Sequence, residues 1–256
     1  MLDGTPLVIP IGHALPLYRT LHPDYSANIG LIAATLARRH PGMRLIDIGA
    51  NVGDTVAIVF RQVRIPVLCI EGDPYYARLL RRNMRPLSDL VEIHEGLVGG
   101  VAGMAMVELR RNVGTAAIRP VSGSGPGVRM ESLSAILSTH PAFAAPGLIK
   151  IDTDGLDMEI LAGALDLAAR AKPVLFFEYD PGAGHAQPGL FQSLLCAGYH
   201  GLLLYDNIGR LIRHSILDGD AAISVAAQYR ALPPGGYLDL AVFHVDDDES
   251  FRELAI

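Results

Sequence analysis

Basic residues are in short supply in this chain. It has 21 lysines and arginines against 27 aspartates and glutamates, a formal net charge of −6. A general polyanion-binding surface is therefore not expected, and nucleic acid is not expected as a partner. Lysine itself occurs only at Lys150 and Lys172. Cysteine is as scarce: Cys69 and Cys196 sit in apolar contexts with no CxxC or Cys/His cluster beside them. That excludes a disulfide framework or structural zinc and reads both as buried reduced thiols. No apolar run reaches the roughly 18 residues of a transmembrane helix. Asp3 and Pro6 interrupt the opening residues, and no basic stretch precedes an apolar one. No signal peptide is read, and the chain is expected to be cytoplasmic. Repeats of solenoid length are also missing.

Apolar residues are plentiful, at 50% of 256, which suits a sheet buried on both faces. The length permits one large core, so 1–256 is read as a single domain. Residues 1–40 are expected to form an N-terminal helical cap, helical from about Ser26, with Ile29, Ile32, Ala33 and Leu36 on one face. From residue 41 an alternation begins: strand Met43–Ile48, helix Asp54–Gln62, strand Val67–Ile70, helix Pro74–Met84 and strand Leu90–His94. That cadence predicts parallel βαβ units. Residues 104–119 read as an inserted hairpin. Strand Gly147–Ile151, helix Leu156–Ala169, strand Val174–Phe177 and helix Leu190–Ala197 continue the pattern. Late strands at Tyr199–Tyr205, Arg210–Arg213 and Leu238–Val245 are expected to be antiparallel in part.

The most informative segment is Leu45–Thr55, LIDIGANVGDT. A buried strand delivers Asp47 into a turn where Gly49 and Gly53 allow close backbone approach to a ligand. After the first glycine the spacing is GxxxG rather than the GxGxxG that fits a dinucleotide pyrophosphate. An acid just ahead of that glycine would be poorly placed beside a pyrophosphate, and it suits a ligand carrying an ammonium and a sulfonium. The second strand ends in Ile70-Glu71-Gly72-Asp73-Pro74, where an acid can accept both hydroxyls of a ribose.

Four blocks, IDIGANVGDT (46–55), IEGDP (70–74), LIKIDTDGLDMEILAGA (148–164) and VLFFEYDP (174–181), resemble the FkbM family of S-adenosylmethionine-dependent methyltransferases in order and spacing. The resemblance spans about Asp24 to Pro181. It implies a class I methyltransferase (Rossmann-like) fold, a doubly wound and mostly parallel seven-stranded α/β sheet. It also implies S-adenosyl-L-methionine as cofactor, held by Asp47, Gly49, Ala50, Asn51, Gly53, Glu71, Gly72 and Asp73. The implied reaction is O-methylation of a free hydroxyl on a small-molecule, sugar, glycan or natural-product acceptor. The third block departs from the family pattern, with Asp154 and Asp157 where glutamates are usual. Leu97 stands near the place of the acid that often meets the adenine amino group, which leaves backbone amides or Glu95 for that contact.

Asp152 and Glu178 end neighbouring buried strands on the ligand side of an open sheet, with Asp154 close behind. Three roles are open to the pair: general base or substrate orienter, helix cap and loop contact, or ligands of a divalent metal. No third hard ligand at clear spacing supports the metal. Lys150 lies inside a strand and needs an acid on a neighbouring one. Arg78, Arg81, Arg82 and Arg85 share one helix face, read as solvated. His22, His185 and His244 have no ligand spacing, although each could help to deprotonate a substrate. Two other functions remain open, a nucleotide-dependent oxidoreductase and a non-catalytic methyltransferase-like binding subunit. Nothing in the sequence fixes the oligomeric state.

Overall fold

Short apolar runs between helical segments form β1 (Leu45–Ile48), β2 (Val67–Glu71) and β3 (Val91–Glu95). Every residue of the first two is buried, as expected where helices cover both faces of a sheet. Next come β4 (Leu97–Gly99), β5 (Gly103–Ala105), β6 (Val107–Asn112), β7 (Thr115–Pro120) and β8 (Val128–Ser132). The chain then forms β9 (Leu148–Ile151), β10 (Val174–Tyr179), β11 (Tyr199–Asp206), β12 (Leu211–Ile216) and β13 (Leu238–His244). This computed structural model describes residues 4–105, 107–112, 115–120, 128–153, 155–180, 189–233 and 236–256.

The main sheet runs β12-β11-β13-β10-β9-β1-β2-β3. Its β3-to-β10 portion is parallel throughout, and β13, β11 and β12 add three antiparallel pairings. The sheet therefore has eight strands and is mixed, which corrects the seven-stranded expectation. The additional strand comes from a tight return after β11. Asp206 Oδ1 accepts from the Ile208 and Arg210 amides, and this Asx turn folds β12 back onto β11. Apart from the main sheet, β4, β8 and β5 form a small sheet and β6 and β7 an antiparallel hairpin.

Helices cover both faces. In chain order they are α1 (Leu15–Leu21), α2 (Ala27–Arg39), α3 (Asp54–Gln62), α4 (Pro74–Met84), α5 (Leu133–Thr139), α6 (Asp157–Gly163), α7 (Leu165–Ala171), α8 (Leu190–Cys196), α9 (Ala221–Arg230) and α10 (Asp248–Leu254). Residues of α2, α3, α4 and α10 share one core with Leu45, Val67, Leu148 and Val174 of the sheet. Residues of α5 to α9 share the other with Ile46, Leu68, Ile149 and Leu175. Adjacent residues of each strand thus feed opposite cores, as strand geometry requires.

Three sequence expectations change here. Ile29, Ile32, Ala33 and Leu36 do share a buried face, but that face belongs to the core under α3. So α2 is a helix of the layer and not a cap. Arg38 and Arg39 tie it to Glu253 and Glu249 of α10. The helix expected over Leu156–Ala169 is two, because Ala164 departs from helical geometry between α6 and α7. Both cysteines are free, and Cys69 is buried, but Cys196 at the end of α8 is exposed.

Candidate functional site

The C-terminal ends of β1, β2 and β9 open into a cleft whose lining includes Gly49, Asn51, Glu71, Gly72, Asp73, Leu97, Asp152 and Thr153. The enclosed part is narrow, about 50 Å³. Glu71 is fixed by two backbone amides: Asn51 N–H donates to Oε2 at 2.8 Å and Asp73 N–H to Oε1 at 2.7 Å. Burial raises the Glu71 pKa, and those same amides oppose the rise. Asp73 caps α4 by accepting from Tyr75 N–H at 2.7 Å, so one short segment sets both the acid and the helix start.

Backbone proximity explains the glycines better than flexibility alone. Gly49 has φ 78°, and a Cβ there would overlap the Asp152 carbonyl oxygen. The β1 loop and the β9 loop therefore touch main chain to main chain. At Gly72 a Cβ would overlap the Leu97 side chain, which forms the apolar wall of the cleft with Ile48, Ile70 and Val98. Ala50 and Gly53 are buried behind the lining. The slot therefore sets an apolar wall on one side against an anchored acid at its end.

Asp47 lies deeper than the cleft lining. It is fully enclosed, and Lys150 Nζ sits 3.1 Å from its Oδ1 and 3.2 Å from Oδ2 of Asp152. The register explains this: Asp47 and Lys150 are paired neighbours on β1 and β9, so both point to the α2/α3 face. Burial works against the Lys150 charge, but Asp152, Asp47 and Asp54 together raise its pKa well above the usual lysine value. Burial pushes the Asp47 and Asp54 carboxyls up, with Lys150 pulling each down.

The same face carries further acid. Glu178 of β10 pairs in register with Asp239 of β13, and Asp239 with Tyr205 of β11. Asp239 is half-buried, and burial first and Asp152 second raise its pKa well above the aspartate range. Beside it, the Tyr25 and Tyr237 hydroxyls are hydrogen-bonded. Burial, then the charges of Asp152 and Asp54, push Tyr25 up to about 12. Asp152 is the open member, with its side chain 49% exposed.

Sequence reasoning missed Asp239, Tyr25, Tyr237 and Asp54. The signal for Asp239 was available, as a lone charge within the apolar run Leu238–His244. His13 was missed as well. It faces the Asn51 side chain, and burial lowers its pKa while Asn51 opposes the shift.

Other candidates are placed elsewhere or held. Glu95 pairs with Arg81 of α4 and is not part of the cleft lining. That contact also takes Arg81 out of a merely solvated row, and Arg78 lies over the Tyr75 ring at 5.7 Å. Asp157 organises the turn after β9, accepting from Thr153 N–H and Oγ1–H at 3.1 Å each and from Gly155 N–H at 3.2 Å. His244 ends the interior strand β13 at the end of the sheet away from the cleft, packed against Tyr199 with ring centroids 5.7 Å apart. His22 lines a separate groove. Asp154 and His185 lie outside the described residues. Among the described residues, no group of three or more His, Cys, Asp or Glu side chains is arranged to hold a metal, and no helix is long and apolar enough to cross a membrane.

The model of a family described as the methyltransferase FkbM domain matches residues 47–200. Among solved structures, the METTL16 MTase domain superimposes with a TM-score of 0.51 at 11% identity, covering 94% of this chain and 74% of that one. The fold is thus that of class I methyltransferases. A putative O-methyltransferase from Klebsiella pneumoniae superimposes with a TM-score of 0.46 at 16% identity, covering 89% of this chain and 86% of that one. Methyltransferase FkbM from Methylobacillus flagellatus KT does so with a TM-score of 0.39 at 16% identity, covering 64% and 48%. No curated protein matches the chain in sequence.

Proposed function

This chain belongs to the FkbM methyltransferase family, and on that premise we propose that it methylates a hydroxyl of a sugar, glycan or natural-product acceptor, using S-adenosylmethionine. The observation that carries the reading is Glu71, anchored by two amides at the inner end of a cleft whose outer lip is Asp152. Glu71 would hold the ribose hydroxyls, with Gly72, Asp73 and Asn51 around the nucleoside and Leu97 and Val98 against its base. When bound, the cofactor supplies a methyl group already activated on a sulfonium, so the protein contributes mainly alignment and charge placement.

The acceptor side belongs to Asp152, with Glu178 and Asp239 beyond it. An alcohol is a poor nucleophile at neutral pH, and a carboxylate at the mouth can take its proton as the new bond forms. Lys150 fixes one Asp152 oxygen, which orients the carboxylate without closing off its exposed side. The acidic rim also disfavours a polyanionic acceptor such as nucleic acid and suits a neutral or cationic polyol. Incubating the protein with isotope-labelled S-adenosylmethionine and pools of glycans, glycosides and polyketide-type alcohols tests the reading. Label in a base-stable ether is the expected product. Label only in nucleic acid or on amines, or no transfer and no cofactor binding, overturns it.

A further inference from the structure

Asn83, near the end of α4, is 4% exposed, and its carboxamide serves two distant pieces of chain. Its Oδ1 accepts from Val8 N–H at 2.7 Å, and its Nδ2 donates to Val8 O at 3.0 Å. The same Nδ2 donates to Val52 O at 2.8 Å. A primary amide carries an acceptor and two donors, so one side chain pairs with the backbone of Val8 and still holds a third group. Val52 is the fully buried residue between Asn51 and Gly53, whose φ values are 48° and 88°. Met84, beside Asn83, packs where a Cβ on Gly53 would stand. The segment that includes Val8 reaches the same turn again further on, where His13 faces the Asn51 side chain.

The turn held in this way is the one that presents Asn51 N–H to Glu71 Oε2. Asn51 keeps a left-handed φ without being glycine, a conformation that depends on what surrounds it. From this we infer that Asn83 is a positioning residue for cofactor binding, and that the segment from Val8 to His13 is a strap it fastens to the cofactor turn. The inference rests on the reading of the Glu71 cleft as the S-adenosylmethionine site. Val8, His13 and Asn83 do not line that cleft, so they act through Asn51 and Val52. The helix is the common frame. Its N-cap Asp73 donates its amide to the other oxygen of Glu71, and Asn83 nearer its end holds the turn. Binding that needs the turn in this shape is linked to docking of the strap. Whatever loosens the strap weakens the ligand, and by the same factor the ligand tightens the strap.

Asn83→Leu stays close to the size of the side chain and removes all three hydrogen bonds. Calorimetry with S-adenosylhomocysteine is run on the full chain, at a temperature where a thermal melt shows the variant folded. Binding should be about tenfold weaker than in wild type. Hydrogen exchange should show that S-adenosylhomocysteine protects residues 8–13 in wild type and not in Asn83→Leu, although none of them lines the cleft. An asparagine with a merely structural role would lower the melting temperature and leave both readings as in wild type, which overturns the inference. Should Asn83→Leu not fold, Val8→Pro removes one donor from the strap alone. A several-fold loss of affinity is then expected, and unchanged affinity overturns the strap. Wild type that binds no S-adenosylhomocysteine sinks the reading of the cleft and this inference with it. Wild type that binds, beside folded variants that bind equally well, sinks only the role of Asn83.

Discussion

Lys150 in β9 holds its ammonium 3.1 Å from the Asp47 carboxylate in β1, across one step of the parallel register. Both groups are out of solvent, so the Asp47 charge depends on Lys150, which is itself also held by Asp152 and Asp54. Lys150→Met should therefore cost about 3–5 kcal/mol, because it strands a buried carboxylate. Removing both charges in Lys150→Met/Asp47→Asn should recover most of that loss. Urea denaturation of the two variants decides it, and a single variant within about 1 kcal/mol of wild type contradicts the pairing.

Glu71→Ala should weaken S-adenosylhomocysteine binding by about 1.5–3 kcal/mol, the range for hydrogen bonds to a charged group. Calorimetry is the measurement, with a thermal melt to show that the variant folds. Unchanged affinity would move the ribose contacts elsewhere in the cleft.

Asp152→Asn keeps the shape of the side chain and removes its basicity. Turnover should fall by about 10²–10⁴-fold while S-adenosylhomocysteine affinity changes little, since a base acts on the acceptor. Glu178→Gln is the companion variant. If both turn over within a few-fold of wild type, the proton goes elsewhere, and His13 beside Asn51 is the next group to replace.

Asp157 is pushed up to about 6, first by burial and then by the charge of Asp152. Because the folded pKa lies above the unfolded one, the folded state binds the proton more tightly. Its contribution is present in full below about pH 4 and is lost as pH rises to about 6, up to roughly 3 kcal/mol. Asp157→Asn cannot titrate. The stability of wild type relative to this variant should therefore fall between those pH values, in denaturation series at matched ionic strength. A flat difference, or a rise, would falsify the assignment.

Hydrogen exchange should show protection at Gly49, Asn51 and residues 71–73 when S-adenosylhomocysteine is added, because these residues line the cleft. Protection confined to the separate groove lined by His22 would place the nucleoside there instead.

The sequence by itself determined the elements that depend on local rules. The spacing of apolar residues placed α3 and α4 at Asp54–Gln62 and Pro74–Met84, and the strand-end order Asp47, Gly49, Glu71 placed the cleft. Each of those signals is read from a few consecutive residues, where period and turn chemistry operate. The tertiary structure alone decided which carboxylates meet. Asp47, Lys150, Glu178 and Asp239 are scattered over nearly 200 residues, and only the pairing of β1 with β9 and of β10 with β13 puts them on one face. A one-residue change of register would turn each to the opposite core. It also decided that Asp47 is an interior partner of Lys150 while Asp152 reaches the mouth. Burial depends on what packs above a strand, and here that is α2 and α3, which no local pattern around Asp47 encodes.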